Sequence, residues 1–153
     1  MLREANVDQE NHLILLVEDN ESHALLVKRA LAQSESKSTL VHVSDGEDAL
    51  DFLHGRRDYA GPAAHPRPRL MLLDLRLPRM DGLEVLREVK TSESFYDIPV
   101  VVLTSSMAEP DVVGAYTFHA NSFLVKPVDY SQFRQQILDT VNYWIHWNIT
   151  PII

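Results

Sequence analysis

The 153-residue chain predicts an α/β fold: a five-stranded parallel sheet with helices on both faces. Two observations carry that expectation. Short apolar runs of strand length alternate five times with stretches whose apolar residues recur every three to four positions. The fourth run also carries three consecutive valines, typical of a strand covered on both faces. A third observation bears on function. Four of the five runs end in a polar residue, and none is interrupted by one.

The elements follow in order. HLILLVED (12–19) is a strand that ends in two acids, Glu18 and Asp19. Ala24, Leu25, Val27, Leu31 and Ala32 then recur at near-helical spacing. LVHV (40–43) is a short second strand. Ser44 and Glu47 after it form a capping box, Leu50 and Leu53 lie on the inner face of that helix, and Gly55 ends it. The proline-rich stretch 56–69 reads as a surface loop. LMLLD (70–74) is the third strand, and Leu83, Val85, Leu86 and Val89 form the next helical face. IPVVVLTSS (98–106) is the fourth strand, and 109–118 a short helix. NSFLVKP (121–127) is the fifth strand, stopped by Pro127. Asp129 with Gln132 caps a last helix bearing Phe133, Ile137, Leu138, Val141, Trp144 and Ile145 on one side. Right-handed crossovers leave few topologies for this order, and the flavodoxin-like (βα)5 arrangement 2-1-3-4-5 leads among them.

Composition narrows the function. Apolar residues make up 45% and charged residues 24%, an ordinary globular balance. The formal charge of −8 disfavours nonspecific nucleic-acid binding, which needs a basic face. Cysteine is absent, which removes disulfides and thiolate metal sites and is compatible with a reducing, cytoplasmic setting. The polar segment 1–11 lacks the apolar core of a signal peptide, and no run has the length of a membrane span. The seven histidines contain no i,i+4 pair, so a helical metal site is not expected.

In a parallel α/β sheet, ligands bind beyond the carboxyl ends of the strands. There this chain places Glu18 and Asp19, Asp74, Thr104 and Lys126. Like charges about 4 Å apart repel by roughly 4 kcal/mol at an effective dielectric near 20. Three carboxylates together therefore need raised pKa values or compensating cations. Lys126 supplies one positive charge, and a hard divalent ion such as Mg2+ suits an all-oxygen set. An aspartate in such surroundings can act as a nucleophile toward a phosphoryl group.

LLVEDN (15–20), LLDLRLPRMDG (72–82), VVLTSS (101–106) and LVKP (124–127) together resemble the receiver domain of two-component response regulators, over residues 12–146. The resemblance implies that Asp74 is phosphorylated by a sensor histidine kinase. It implies Mg2+ (or Mn2+) held by Asp19, Asp74 and the backbone carbonyl of Arg76, with Glu18 completing the acidic pocket. Thr104 is then the switch hydroxyl, Lys126 the phosphoryl contact and Phe123 the aromatic switch position. The peptide before Pro127 is usually cis in the family. The stretch 120–151 is similar to single-domain regulators paired with bacterial and cyanobacterial phytochromes, which implies a light-signalling kinase partner. Arg76 departs from the smaller residue common at its position.

Two other readings compete: a pseudo-receiver adaptor that is not phosphorylated, and a small Mg-dependent phosphatase with an aspartate nucleophile. The first predicts loss of Asp74, Lys126 or an acidic residue, and none is lost. The second usually carries an Asp two residues after the nucleophile, where this chain has Arg76. A flavin site lacks its Ser/Thr/Gly-rich loop after the first strand. The tail adds an expectation of its own. Tyr143, Trp144, Ile145, Trp147 and Ile149, with Ile152 and Ile153, cannot all be buried by one helical face. A homodimer built from the last strand, the last helix and the tail 147–153 is expected.

Overall fold

The computed structural model describes residues 12–34, 37–61 and 67–150. The strands are β1 (His12–Val17), β2 (Ser38–Val43), β3 (Leu70–Leu73), β4 (Val100–Thr104) and β5 (Ser122–Val125). Helices α1 (Glu21–Ala32), α2 (Gly46–His54), α3 (Gly82–Thr91), α4 (Glu109–Thr117) and α5 (Tyr130–Val141) alternate with them. All strand pairings are parallel, in the order β2-β1-β3-β4-β5. This is the flavodoxin-like arrangement the sequence predicts.

Side chains on a strand alternate between faces, and this alternation splits the core into two layers. Leu13, Leu15 and Val17 of β1 join Met71, Leu73, Val100 and Val102 beneath α2 and α3, with Leu50, Phe52, Val85, Leu86 and Val89. Ile14, Leu16, Leu70, Leu72, Val101 and Leu103 face the other way, onto Ala24, Val27 and Ala30 of α1 and Phe133, Ile137 and Val141 of α5. Both faces of each central strand are covered, so period-2 polarity never arises.

Helix ends follow local chemistry, with one correction. The cap of α2 is Asp45, whose side chain accepts from the Asp48 N–H at 2.8 Å, and not Ser44. Both residue types cap well, but Asp45 also accepts from Arg79 Nη2 at 2.7 Å, which holds its carboxylate at the helix start. Gly55 does end α2, in the left-handed conformation at φ 62°. Asp129 caps α5 by accepting from Gln132 N–H at 2.9 Å. On α1, Ala24, Val27 and Ala30 face inward, while Leu25 and Ala32 point to solvent.

Beyond Val141 the last helix widens into a π-helical turn, Asn142–Trp147, closed by the Asn148 N–H donating to the Tyr143 carbonyl at 2.7 Å. Ile145 is fully buried and Trp144 partly buried against the α1–α5 layer. Tyr143, Trp147 and Ile149 are exposed. The segment 1–11, part of the proline-rich loop (62–66) and Ile152 and Ile153 lie outside the described residues. Among the described residues, no helix is long and apolar enough to cross a membrane.

Candidate functional site

Strand parity aims the site. Glu18, Asp74 and Lys126 each follow the outermost residues of β1, β3 and β5 by the step that repeats the phase of Leu16, Leu72 and Leu124, which face α1 and α5. Register brings them side by side. Val17 pairs with Leu73, and the Asp74 N–H donates to the Val17 carbonyl at 3.0 Å. Thr104 pairs with Val125, and the Lys126 N–H donates to the Thr104 carbonyl at 2.8 Å.

The three side chains then meet. Lys126 Nζ lies 2.5 Å from Glu18 Oε1 and 3.0 Å from Asp74 Oδ2. All three residues are buried, and so is Thr104. Burial of an ion pair is favourable only when its remaining donors and acceptors are satisfied. His23, in the first turn of α1, supplies a third partner: its Nδ1 is 2.9 Å from Lys126 Nζ and 3.0 Å from Glu18 Oε1. His42 Nε2 of β2 bonds the Glu18 carbonyl at 2.7 Å. Asp74 Oδ1 accepts from the Arg76 N–H at 3.2 Å.

Protonation follows from burial and crowding. Burial, reinforced by Asp74, pushes the Glu18 carboxyl up to about 8, so Glu18 carries the proton at neutral pH. Burial also acts against ionised Asp74, but the adjoining Glu18 carboxyl and the Lys126 charge outweigh it and hold Asp74 below the usual carboxylate range. Burial and the neighbouring ammonium push His23 down, which keeps its imidazole neutral. Asp74 is thus the anionic member of the pair.

The group opens on a cleft of about 560 Å³ lined by Asp19, His23, Asp74, Arg76, Thr104 and Lys126, among others. One oxygen each from Glu18, Asp19 and Asp74 lies within 4.8 Å of the others. Glu18 Oε2 is buried without a hydrogen-bond partner. An all-oxygen, acidic set with an orphaned buried oxygen fits a hard divalent cation.

Each predicted site residue can now be placed. Asp19, Asp74, Thr104 and Lys126 line the cleft, and a Glu18 oxygen lies within 4.8 Å of oxygens of Asp19 and Asp74. Phe123 does not line it; the ring is half-buried and packs on the α2–α3 layer. The expected cis peptide before Pro127 is absent, since no described residue carries a cis bond. The isomers of an X–Pro bond differ by only about 0.5–1 kcal/mol, too little for the residue pair itself to dictate one. Sequence reading missed His23, Ser106 and Asp111. His23 had a signal, because it lies in the turn directly after the acidic strand end. Asp111 had none, since acids at helix starts are commonplace.

Arg76 bridges elements. Its Nη2 donates to Asp111 Oδ2 of α4 at 2.5 Å, and Ser106 Oγ donates to the same oxygen at 2.5 Å.

A doubly wound parallel sheet with an acidic cleft and a buried lysine at its carboxyl edge defines the class: a flavodoxin-like α/β domain with its site at the strand ends. Direct comparison supplies the family. Residues 14–138 match the family model of the response regulator receiver domain, and the chain belongs to that family. It is 42% identical over 139 residues to the "Probable methanogenesis regulatory protein FilR2" of Methanothrix harundinacea, covering 91% of this chain and 87% of that one. It is 38% identical over 139 residues to the response regulator Rcp1 of Synechocystis sp., covering 91% and 92%; the Mn2+-bound structure of Rcp1 superposes with a TM-score of 0.86. The phosphorylated cyanobacterial phytochrome response regulator RcpA superposes with a TM-score of 0.87 at 37% identity, covering 94% of this chain and 100% of that one.

Proposed function

We propose that the chain accepts a phosphoryl group on Asp74 from a phytochrome-type sensor histidine kinase and signals through protein contacts. The observation that carries this reading is a buried Asp74 bonded to Lys126 Nζ at 3.0 Å and opening on a cleft with Asp19 and Thr104. In transfer from a phosphohistidine, an Asp74 carboxylate oxygen attacks phosphorus as the N–P bond breaks, and the freed imidazole nitrogen is left neutral or is reprotonated by solvent. Lys126 Nζ meets the charge on the transferring oxygens, and the Thr104 hydroxyl turns toward them. Asp19, Asp74 and the Arg76 carbonyl are the proposed holders of Mg2+ or Mn2+, which when bound supplies further charge neutralisation. The Mn2+-bound Rcp1 supports that choice of ion.

The phytochrome assignment rests on likeness to RcpA and Rcp1. Signalling, rather than turnover of a free substrate, agrees with family membership and with Arg76 standing where the phosphatases carry a second Asp. Exposed Tyr143, Trp147 and Ile149 support a homodimer through β5, α5 and the tail.

The test is incubation with a phytochrome histidine kinase, labelled ATP and Mg2+. Label is expected on the wild type and absent from Asp74→Asn or after chelation. Label that persists in Asp74→Asn overturns the assignment of Asp74. Equal transfer from unrelated kinases overturns the phytochrome pairing.

A further inference from the structure

Arg76 and Asp111 stand outside the triad of Glu18, Asp74 and Lys126, yet they link its Asp74 to Thr104 through a chain of contacts. The Arg76 N–H donates to Asp74 Oδ1 at 3.2 Å, while the same residue's Nη2 donates to Asp111 Oδ2 at 2.5 Å. Ser106 Oγ donates to that Asp111 oxygen at 2.5 Å and accepts from the Ala108 N–H at 3.2 Å. The Ser106 N–H donates to Thr104 Oγ1 at 3.3 Å. The chain of contacts therefore runs from the Asp74 carboxylate through Arg76, Asp111 and Ser106 to the Thr104 hydroxyl. It includes the first turn of α4, whose own cap residue Ala108 has no side chain to offer.

The two partners of the ion pair differ in freedom. The Asp111 side chain is 11% exposed and the Arg76 side chain 63%. The carboxylate is held in place, while the exposed guanidinium has room to swing, and Arg76 is among the residues that line the cleft with Asp74.

We propose that Arg76 is a two-position latch: it holds the start of α4 through Asp111 when Asp74 is free, and transfers to the phosphoryl group when Asp74 is occupied. The inference rests on the phosphoacceptor reading above. A phosphoryl group brings close to two negative charges and several acceptor oxygens into the cleft. The planar guanidinium fork matches it bidentately, which a carboxylate held by one nitrogen does not demand. Transfer leaves Asp111 buried with Ser106 alone, and a buried carboxylate that loses its cation is destabilising. The strand-to-helix loop 105–108 and the first turn of α4 must then rearrange. The latch thereby converts occupancy of Asp74 into a change on the exposed α4 face, where Val113 and Tyr116 stand free of the core.

Coupling of this kind is reciprocal. Whatever weakens the Arg76–Asp111 pair must strengthen the hold on the anion at Asp74. The test is an NMR titration with beryllofluoride, a phosphoryl mimic, in the presence of Mg2+. Asp111→Asn is expected to bind about tenfold more tightly than the wild type. In an Arg76→Ala background the same substitution is expected to change affinity by less than about twofold, the mark of a pair acting as one unit. Equal effects in both backgrounds, or none in the wild type, overturn the latch. A purely structural Asp111 gives that equal effect.

Hydrogen exchange at 109–117 provides a second measurement that needs only the exposed arginine changed. Beryllofluoride is expected to speed exchange there in the wild type. Arg76→Ala is expected to exchange at the faster rate from the start and to respond little further. A full response in Arg76→Ala overturns the latch and leaves the phosphoacceptor reading intact. Failure of the wild type to bind beryllofluoride, or equal binding by Asp74→Asn, overturns both.

Discussion

Gly82 shows how single residues serve the cleft without touching its chemistry. A Cβ there would sit 2.3 Å from the Asp74 carbonyl and 2.5 Å from Leu75 Cα, so the start of α3 lies directly on the backbone that carries Asp74. Its N–H donates to the Leu75 carbonyl at 3.0 Å. Close approach, and not an unusual φ, requires glycine here. Gly82→Ala is expected to lower stability by about 1–3 kcal/mol through overpacking. It should also weaken beryllofluoride binding by displacing Asp74. Urea unfolding and the NMR titration measure the two effects separately, and a stable variant with normal binding contradicts this account. The same scale shows what residue identity revealed. Asp74, Lys126 and Thr104 were legible because each ends an uninterrupted apolar run. Glu18 was legible as an acid, but not as the member that carries the proton. That division depends on burial and on the crowding of the two carboxyls, which the sequence does not show.

Between elements, Lys90 ties α3 to the segment before β4 and to β5. Its Nζ donates to the Tyr96 carbonyl at 3.1 Å, the Ile98 carbonyl at 2.8 Å and Asn121 Oδ1 at 2.9 Å. Asn121 Oδ1 also accepts from the Val100 N–H at 2.9 Å. Lys90→Met keeps the apolar stem but abandons these acceptors, with an expected cost of about 1–3 kcal/mol. Burial pushes the Lys90 ammonium down to about 8. Between that value and the ordinary lysine range, the unfolded chain binds more protons than the folded one, so this group makes stability rise with pH. Below about 8 the charge is present in both states and the contribution no longer changes. The difference in unfolding free energy between wild type and Lys90→Met should therefore widen from pH 8 to pH 10. A constant difference contradicts the shift. None of this was legible in sequence, where Lys90 reads as an ordinary lysine near the end of an amphipathic helix.

For the whole molecule, the open question is what covers the aromatic end. Trp147 is 73% exposed and Ile149 60%, while Ile145 beside them is fully buried. Trp147→Glu is expected to shift the sedimentation of the proposed dimer to that of a monomer while leaving beryllofluoride binding unchanged. A wild type that sediments as a monomer at high concentration, with and without beryllofluoride, removes the dimer. The π-helical turn explains why helical periodicity could not sort these residues: the winding changes at Asn142, and a 3.6-residue count loses its phase there.

By itself, the amino-acid sequence determined the order of elements, the parallel sheet and the residues at its carboxyl edge. Those properties depend on local pattern: apolar runs of strand length, helical spacing, and a polar residue where each run stops. Only the tertiary structure decided that Glu18, Asp74 and Lys126 share one face, that His23 completes the lysine's partners, and that Arg76 reaches Asp111. Register, burial and reach across elements set those contacts. They join residues as far apart as Glu18 and Lys126, whose separation along the chain says nothing about their distance in space.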